Sequence, residues 1–454
     1  MVFPDDRPMR VHLTTVGCRL NEAELERWSR DFRARGHELA RTPADADLVV
    51  VNTCAVTDEA VRKSRKLVRR ARRANPAAKV IVSGCYTALD PQRTAAELGV
   101  DVLVPNPDKD RLVEIVSRRL DLAALPVRLG EPAEATLFQR GRQRAFVKAQ
   151  DGCRHRCSFC VVTLARGDER SRAITDVVAE VRALRAAGVH EVVLTGVHLG
   201  GYGSDLGTDL HALTAAVLRD TDVPRVRLGS LEPWDLPAGL WDLFADARLM
   251  PHLHLPLQSG ADSVLRRMAR RCRAADFRAL ARRARTAVPD INLTTDVIVG
   301  FPGETEVEWH ETLDLVAEIG FGHVHAFGFS PRPGTKAAAL PDPVDEATRL
   351  RRSRDLQALA GRLRREALKA LVGRQFPVLV EGDHGIITET GVRWEGYTPS
   401  FHRVALRAPV TVELANRIVG VRIEAVGADG AHVVGRLNDH QIQRPSHRSN
   451  GQSP

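Results

Sequence analysis

Three of the seven cysteines fall within eight residues, as Cys153, Cys157 and Cys160 of DGCRHRCSFC. Thiolates are the natural ligands of zinc and of iron–sulfur clusters, and a 4Fe-4S cube usually takes about four of them. Three in one tight loop leave one iron without a protein ligand. Such an iron can chelate the amino and carboxylate groups of S-adenosylmethionine (SAM), placing its sulfonium beside an electron source. The competing reading is a zinc site completed by His155. His155 lies between the first two cysteines, which makes joint ligation awkward, and iron is favoured.

Cys18, Cys54 and Cys85 are far apart in sequence, yet each stands just beyond an apolar, strand-like run: RVHLTTV, DLVVVN and KVIVSG. In an open parallel sheet, ligands bind outside the carboxyl ends of the strands. One cysteine there could be a small core residue. Three in equivalent places favour a second metal site. Cys272, in RRCRAADF, reads as a semi-buried small residue on a helix.

The elements that must position these thiols alternate between strand and helix, which implies an α/β fold with parallel sheets. Residues 9–125 read as one α/β domain and 126–143 as an aperiodic linker. Six βα repeats follow within 144–371, with strands at 144–149, 190–196, 223–230, 252–258, 291–300 and 323–330. They suggest a partial (β/α)6 version of the eightfold barrel, with its site at the strands' C-terminal ends. Helices are expected at 175–187, 237–246, 262–287, 305–319 and 345–371. Residues 373–438 change to short β-rich runs, a small antiparallel β-barrel, and 439–454 form a polar tail expected to be disordered.

The 454 residues carry 66 Lys and Arg against 57 Asp and Glu, a net charge of +9. That balance suits a polyanionic partner without requiring one. No run of about 18 uncharged apolar residues and no apolar N-terminal stretch occurs, so a membrane span is not expected and a cytoplasmic address is. Seven cysteines in that compartment argue for metal ligation over disulfides.

DGCRHRCSFC resembles the radical-SAM signature. Together with TTVGCRLNEAELE, VVNTCAVTDEAVRKSR and SGCYTALDP upstream, the chain resembles the radical SAM methylthiotransferases over about residues 10–435. The resemblance implies an N-terminal cluster domain, a central radical-SAM barrel and a C-terminal TRAM barrel. It implies two 4Fe-4S clusters, an auxiliary one on Cys18, Cys54 and Cys85 and a SAM-bound one on Cys153, Cys157 and Cys160. SAM would serve as methyl donor and as radical source. A flavodoxin- or ferredoxin-like electron donor and a sulfur source would be partners. LTGVHLGGYG, RLGSLEPWDL, HLPLQSGADSVLRRMAR, TDVIVGFPGET and FSPRPGTKA also resemble family blocks. Gly196, Gly200, Gly201, Gly300 and Gly303 would allow close approach to SAM. The family often has proline where this chain has Thr163, so one loop restraint beside the cluster is missing.

Helix 58–74 carries Arg62, Arg65, Lys66, Arg69 and Arg73 near one stripe. A solvated face is the ordinary explanation for such a run. Beside a sulfur-donating cluster it suits RNA phosphates. A base undergoing chemistry must be splayed into a pocket, which a tRNA anticodon loop permits. Within the family, NTCAVTDEAVRKSR, LTGVHLGGYG and RLGSLEPWD most resemble the enzyme that methylthiolates C2 of N6-threonylcarbamoyladenosine at tRNA position 37. The alternatives are the isopentenyladenosine-directed tRNA enzyme, the enzyme modifying a ribosomal-protein aspartate and, in another class, a non-enzymatic iron–sulfur RNA-binding protein. Trp234 and Arg332 are candidates to line the pocket or to pack the core.

Overall fold

A computed structural model describes residues 7–122, 144–388 and 391–438. The expected linker at 126–143 and tail at 439–454 lie outside the described residues. Strands β1 (Arg10–Thr15), β2 (Glu38–Leu39), β3 (Leu48–Thr53), β4 (Lys79–Gly84) and β5 (Val102–Val104) form one parallel sheet in the order β2-β1-β3-β4-β5. All six residues of β3 are buried. A parallel strand covered on both faces is mainly apolar, as LVVV is in β3, and the buried Asn52 and Thr53 at its end donate to Glu24 Oε2 at 2.8 Å and Ser83 O at 2.7 Å. The strands preceding the three scattered cysteines, β1, β3 and β4, are neighbours, so their ends share one edge. Strand β2 has only two residues and carries no sequence signal of its own.

The central unit holds β6 (Arg144–Lys148), a short pair β7 (Gln150–Asp151) and β8 (Arg170–Ser171), then β9 (Glu191–Thr195), β10 (Arg225–Leu228), β11 (His252–His254), β12 (Asn292–Val299) and β13 (His323–Gly328). Two parallel three-stranded sheets, β10-β9-β6 and β11-β12-β13, enclose one hydrophobic core. Isolated parallel bridges, including Ser230 with His254, connect β10 to β11. The result is a six-stranded partial barrel. Helix α1 (Arg19–Ala34) lies against β6, where Phe146 N donates to Glu26 Oε2 at 3.1 Å.

Two elements depart from the sequence reading. The single helix expected at 262–287 is two, Asp262–Arg267 and Ala274–Ala287. Ala269 has φ +56°, and Arg270 N donates back to Leu265 O at 2.9 Å, which terminates the first helix. Cys272 sits in the resulting turn and not on a helix; it is buried in the barrel core. The expected strand 252–258 stops at His254, and Gln258 has φ +69°.

Strands β14 (Gln375–Thr388), β15 (Gly391–Tyr397), β16 (Arg403–Ala408), β17 (Ile418–Val426) and β18 (Val433–Leu437) close a five-stranded barrel, with one parallel pair, β16 with β18. A closed ring with an odd number of strands cannot alternate direction at every pairing. This barrel docks under the first residues of the central strands. Arg227 donates to Pro399 O at 3.1 Å, and Asn292 Nδ2 to Ser400 O at 2.8 Å. Among the described residues, no helix is long and apolar enough to cross a membrane.

Candidate active site

Each thiol of the first trio is placed by the end of a strand. Cys54 and Cys85 directly follow β3 and β4, and Cys18 caps the start of α1. A Cβ added to Gly17 would stand 2.8 Å from Cys54 Cβ and 3.0 Å from its Sγ, so glycine makes the loop around the thiols possible. Gly17 also has φ +123°. Cys54 and Cys85 are buried while Cys18 is exposed, so the group opens to one side. Burial pushes the Cys54 thiol up to about 11, with Cys18 and Cys85 adding to the rise.

The second trio follows the β7 segment. Cys153 N donates to Gly167 O and Cys160 N to Cys157 O, each at 3.1 Å, which folds the loop back on itself. Thr163 Oγ1 donates to His155 O at 2.9 Å. The loop restraint expected from proline is thus replaced by a hydrogen bond. Burial pushes Cys153 and Cys160 up to about 12 each, and the three sulfurs act on one another. Arg270, delivered by the break after residue 267, bonds toward Cys157 and pairs with Glu232 at 2.7 Å.

Both trios fit the donor chemistry of an iron–sulfur cube with one open iron: three thiols gathered at neighbouring strand ends in the first case and in a single loop in the second, half-buried or open on one side. Raised thiol pKa values mean that loading must release protons. His155 does not join the second trio. Its Nε2 lies 2.7 Å from Asp235 Oδ2 and 3.2 Å from His198 Nε2, which removes the geometric basis of the zinc alternative.

That contact opens onto a polar cluster that the sequence reading missed. His198 Nε2 is 2.7 Å from Asp235 Oδ2, and its Nδ1 bonds Glu169. Both carboxylates raise the His198 pKa against the opposing effect of burial. Trp234 Nε1 lies 3.3 Å from His155 Nε2, placing Trp234 beside the trio's loop. Glu169, His198 and Asp235 come from three βα loops, so no local motif announces them. Arg154 pairs with Glu169 at 3.3 Å and lies 3.9 Å from Asp235, so the cluster is a charge-balanced polar network next to Cys153.

The candidate glycines divide into two groups. A Cβ on Gly201 would meet His198 and Glu169, one on Gly200 the backbone of Asp235, and one on Gly196 the side chain of Gln150. These three let the polar cluster's loops approach one another. Gly300 and Gly303 have φ +74° and +71°, and a Cβ on Gly300 would strike Arg349 of the helix Glu346–Lys369. Arg332 pairs with Asp58, and Ser330 Oγ donates to Asp58 Oδ2 at 2.9 Å. Arg332 therefore pins the barrel to the start of α2 (Asp58–Ala74).

On α2, Arg62, Lys66, Arg69 and Arg73 are exposed, whereas Arg65 is held by Glu97 at 3.0 Å and by Tyr86 Oη at 2.8 Å. Ser64 Oγ, on the opposite face, accepts from Cys54 N at 3.1 Å. The basic helix is therefore anchored directly on the first trio.

Residues 10–105 match the Uncharacterized protein family UPF0004, and residues 147–316 match the Radical SAM superfamily. The chain is 34% identical over 424 residues to the threonylcarbamoyladenosine tRNA methylthiotransferase MtaB of Bacillus subtilis (strain 168), covering 91% of this chain and 93% of that one. This decides the family. The chain belongs to the radical SAM methylthiotransferases. It is also 36% identical over 455 residues to the tRNA-2-methylthio-N(6)-dimethylallyladenosine synthase of Anaeromyxobacter dehalogenans (strain 2CP-C), covering 96% and 95% of the two chains. Among solved structures it resembles the radical S-adenosylmethionine methyltransferase TsrM from Kitasatospora setae, with a TM-score of 0.56 and 17% identity over 73% of this chain and 77% of that one. The last likeness concerns the fold alone. As a radical SAM methylthiotransferase, this chain is a transferase that uses SAM and a 4Fe-4S cluster.

Proposed function

We propose that the protein transfers a methylthio group to C2 of N6-threonylcarbamoyladenosine at position 37 of tRNA. The observation that carries the reading is the pairing of two three-cysteine sites, one of them under a basic helix. Cys153, Cys157 and Cys160 would hold the cluster that binds SAM, and Cys18, Cys54 and Cys85 the auxiliary cluster that handles sulfur. When bound, SAM and its cluster supply the one-electron cleavage that opens a C–H bond. Gly196, Gly200 and Gly201 would line the SAM pocket, keeping the loops of Glu169, His198 and Asp235 close together beside Cys153. Arg62, Lys66, Arg69 and Arg73 would contact anticodon-stem phosphates, with Ser64 holding their helix on Cys54. An electron donor of the flavodoxin or ferredoxin type and a sulfur source complete the reaction.

A threonylcarbamoyl substrate is supported by the name of the Bacillus subtilis relative, whereas the Anaeromyxobacter relative supports the dimethylallyl alternative. Mass spectrometry of tRNA nucleosides from a deletion strain separates them. Loss of the 2-methylthio derivative of N6-threonylcarbamoyladenosine, restored by the wild-type gene, supports the proposal. Its persistence in a strain without a second such gene, with loss of the dimethylallyl derivative instead, transfers the assignment to the alternative.

A further inference from the structure

One buried cation joins the two cysteine sites. Arg166 ends the helix Val162–Arg166, which begins two residues after Cys160. Its side chain is 2% exposed. The Nε donates to Cys85 Sγ at 3.3 Å. One terminal nitrogen donates to Glu24 Oε1 at 3.0 Å and Asp151 Oδ1 at 2.9 Å, and the other to Asn21 Oδ1 at 2.8 Å.

Asn21 extends that reach. Its Oδ1 is 3.9 Å from Cys18 Sγ, and its Nδ2 donates to Val16 O at 2.9 Å and to Thr53 O at 3.2 Å. Thr53 immediately precedes Cys54. Arg166 thus touches Cys85 directly, Cys18 through Asn21, and the backbone leading into Cys54 through the same amide. Asp151, two residues before Cys153, ties the arrangement to the second trio's loop. Burial opposes charge on Arg166, but Glu24, Cys85, Asp151 and Cys18 outweigh it and hold the guanidinium protonated.

We propose that Arg166 is the positioning residue of the auxiliary site, ordering Cys18, Cys54 and Cys85 and stabilising the added negative charge of that site's reduced cluster. The inference rests on the reading that this trio binds a 4Fe-4S cluster. Net charge and hydrogen bonds to sulfur are the protein's main levers on a cluster's potential. A fixed cation donating to a ligand sulfur supplies both. Asp151 and Glu24 hold it in place, so it acts without reorganising.

The test uses the full-length chain with Cys153, Cys157 and Cys160 replaced by serine, reconstituted anaerobically, so that only the auxiliary site holds iron. Iron content and the midpoint potential from an EPR-monitored titration are measured with Arg166, Arg166→Lys and Arg166→Gln. The glutamine form should be at least about tenfold harder to reduce, a shift of about 59 mV for one electron, and lysine should recover most of it. Full iron with an unchanged potential in Arg166→Gln overturns the proposal. If Arg166→Gln holds no iron, retention of the cluster by Arg166→Lys supports it, and loss from both overturns the role of charge. Absence of iron from the parent with Arg166 intact defeats the auxiliary-cluster reading itself.

Discussion

Replacing Glu24 by glutamine keeps its shape and removes one buried charge. Its Oε2 accepts from Lys109 Nζ at 2.7 Å and Asn52 Nδ2 at 2.8 Å, and its Oε1 accepts from Arg166 at 3.0 Å. The side chains of Lys109 and Glu24 are 1% and 2% exposed. Breaking a buried pair and stranding one charge costs about 3–5 kcal/mol. With a urea dependence of about 2 kcal/mol/M, the unfolding midpoint should fall by about 1.5–2.5 M. Urea unfolding of the metal-free full-length chain, followed by circular dichroism, measures this directly. Glu24→Met should cost at least as much, and adding Lys109→Met should recover part of it, because the stranded ammonium is then gone. The pH dependence has a definite sign. Burial raises the Glu24 carboxyl, but Arg166, Lys109 and Lys148 outweigh it and hold the group well below the usual carboxylate range. The stability it contributes is therefore complete above about pH 4.3 and is lost as pH falls below that value. Acid should cost the wild type more than Glu24→Gln. A glutamine variant within about 0.5 kcal/mol of wild type, or a double variant no better than Glu24→Met alone, would refute the reasoning.

Cys157→Ala should abolish SAM-dependent formation of 5′-deoxyadenosine under dithionite. Cys54→Ala should retain that cleavage and lose methylthiolation, and joint loss of both activities would argue against two separable sites. Neutralising Arg69 and Arg73, both exposed on α2, should weaken tRNA binding and reduce the slope of log affinity against log salt by about 1.5. An unchanged slope returns that helix to a solvated face. Burial pushes His402 down to about 4, so it is neutral in the folded chain. As pH falls from about 6.5 to about 4 the unfolded chain takes up the proton first, costing up to about 3 kcal/mol. Thermal melts of His402→Gln should show a smaller acid loss than wild type, and equal losses would remove His402 as a cause.

Repeat pattern and thiol spacing were legible in the chain because both are local. Apolar runs in register with turns marked β1, β3 and β4, and the rule that ligands gather at strand ends predicted that Cys18, Cys54 and Cys85 would meet. The spacing of Cys153, Cys157 and Cys160 implied a cluster with an open iron before any fold was known. Ala269 was not legible, since nothing short of the backbone marks a non-glycine residue with positive φ as a helix terminus. Burial of charge was equally hidden. Nothing in the residue types of Glu24, Lys109, Asp151 and Arg166 marks them as buried together, and packing α1 against the barrel makes them one desolvated network.

Two sets of three thiols, a strand before each, and a basic helix leaving the second of the scattered cysteines are all readable along the chain. Those features depend on residue type and short spacing alone. Long-range packing is what brings Arg166 against Cys85 and turns His155 to Asp235 and His198 instead of completing a zinc site. A contact spanning 81 residues is fixed by how the helix Val162–Arg166 packs against the helix Cys85–Leu89, and no local pattern encodes that packing.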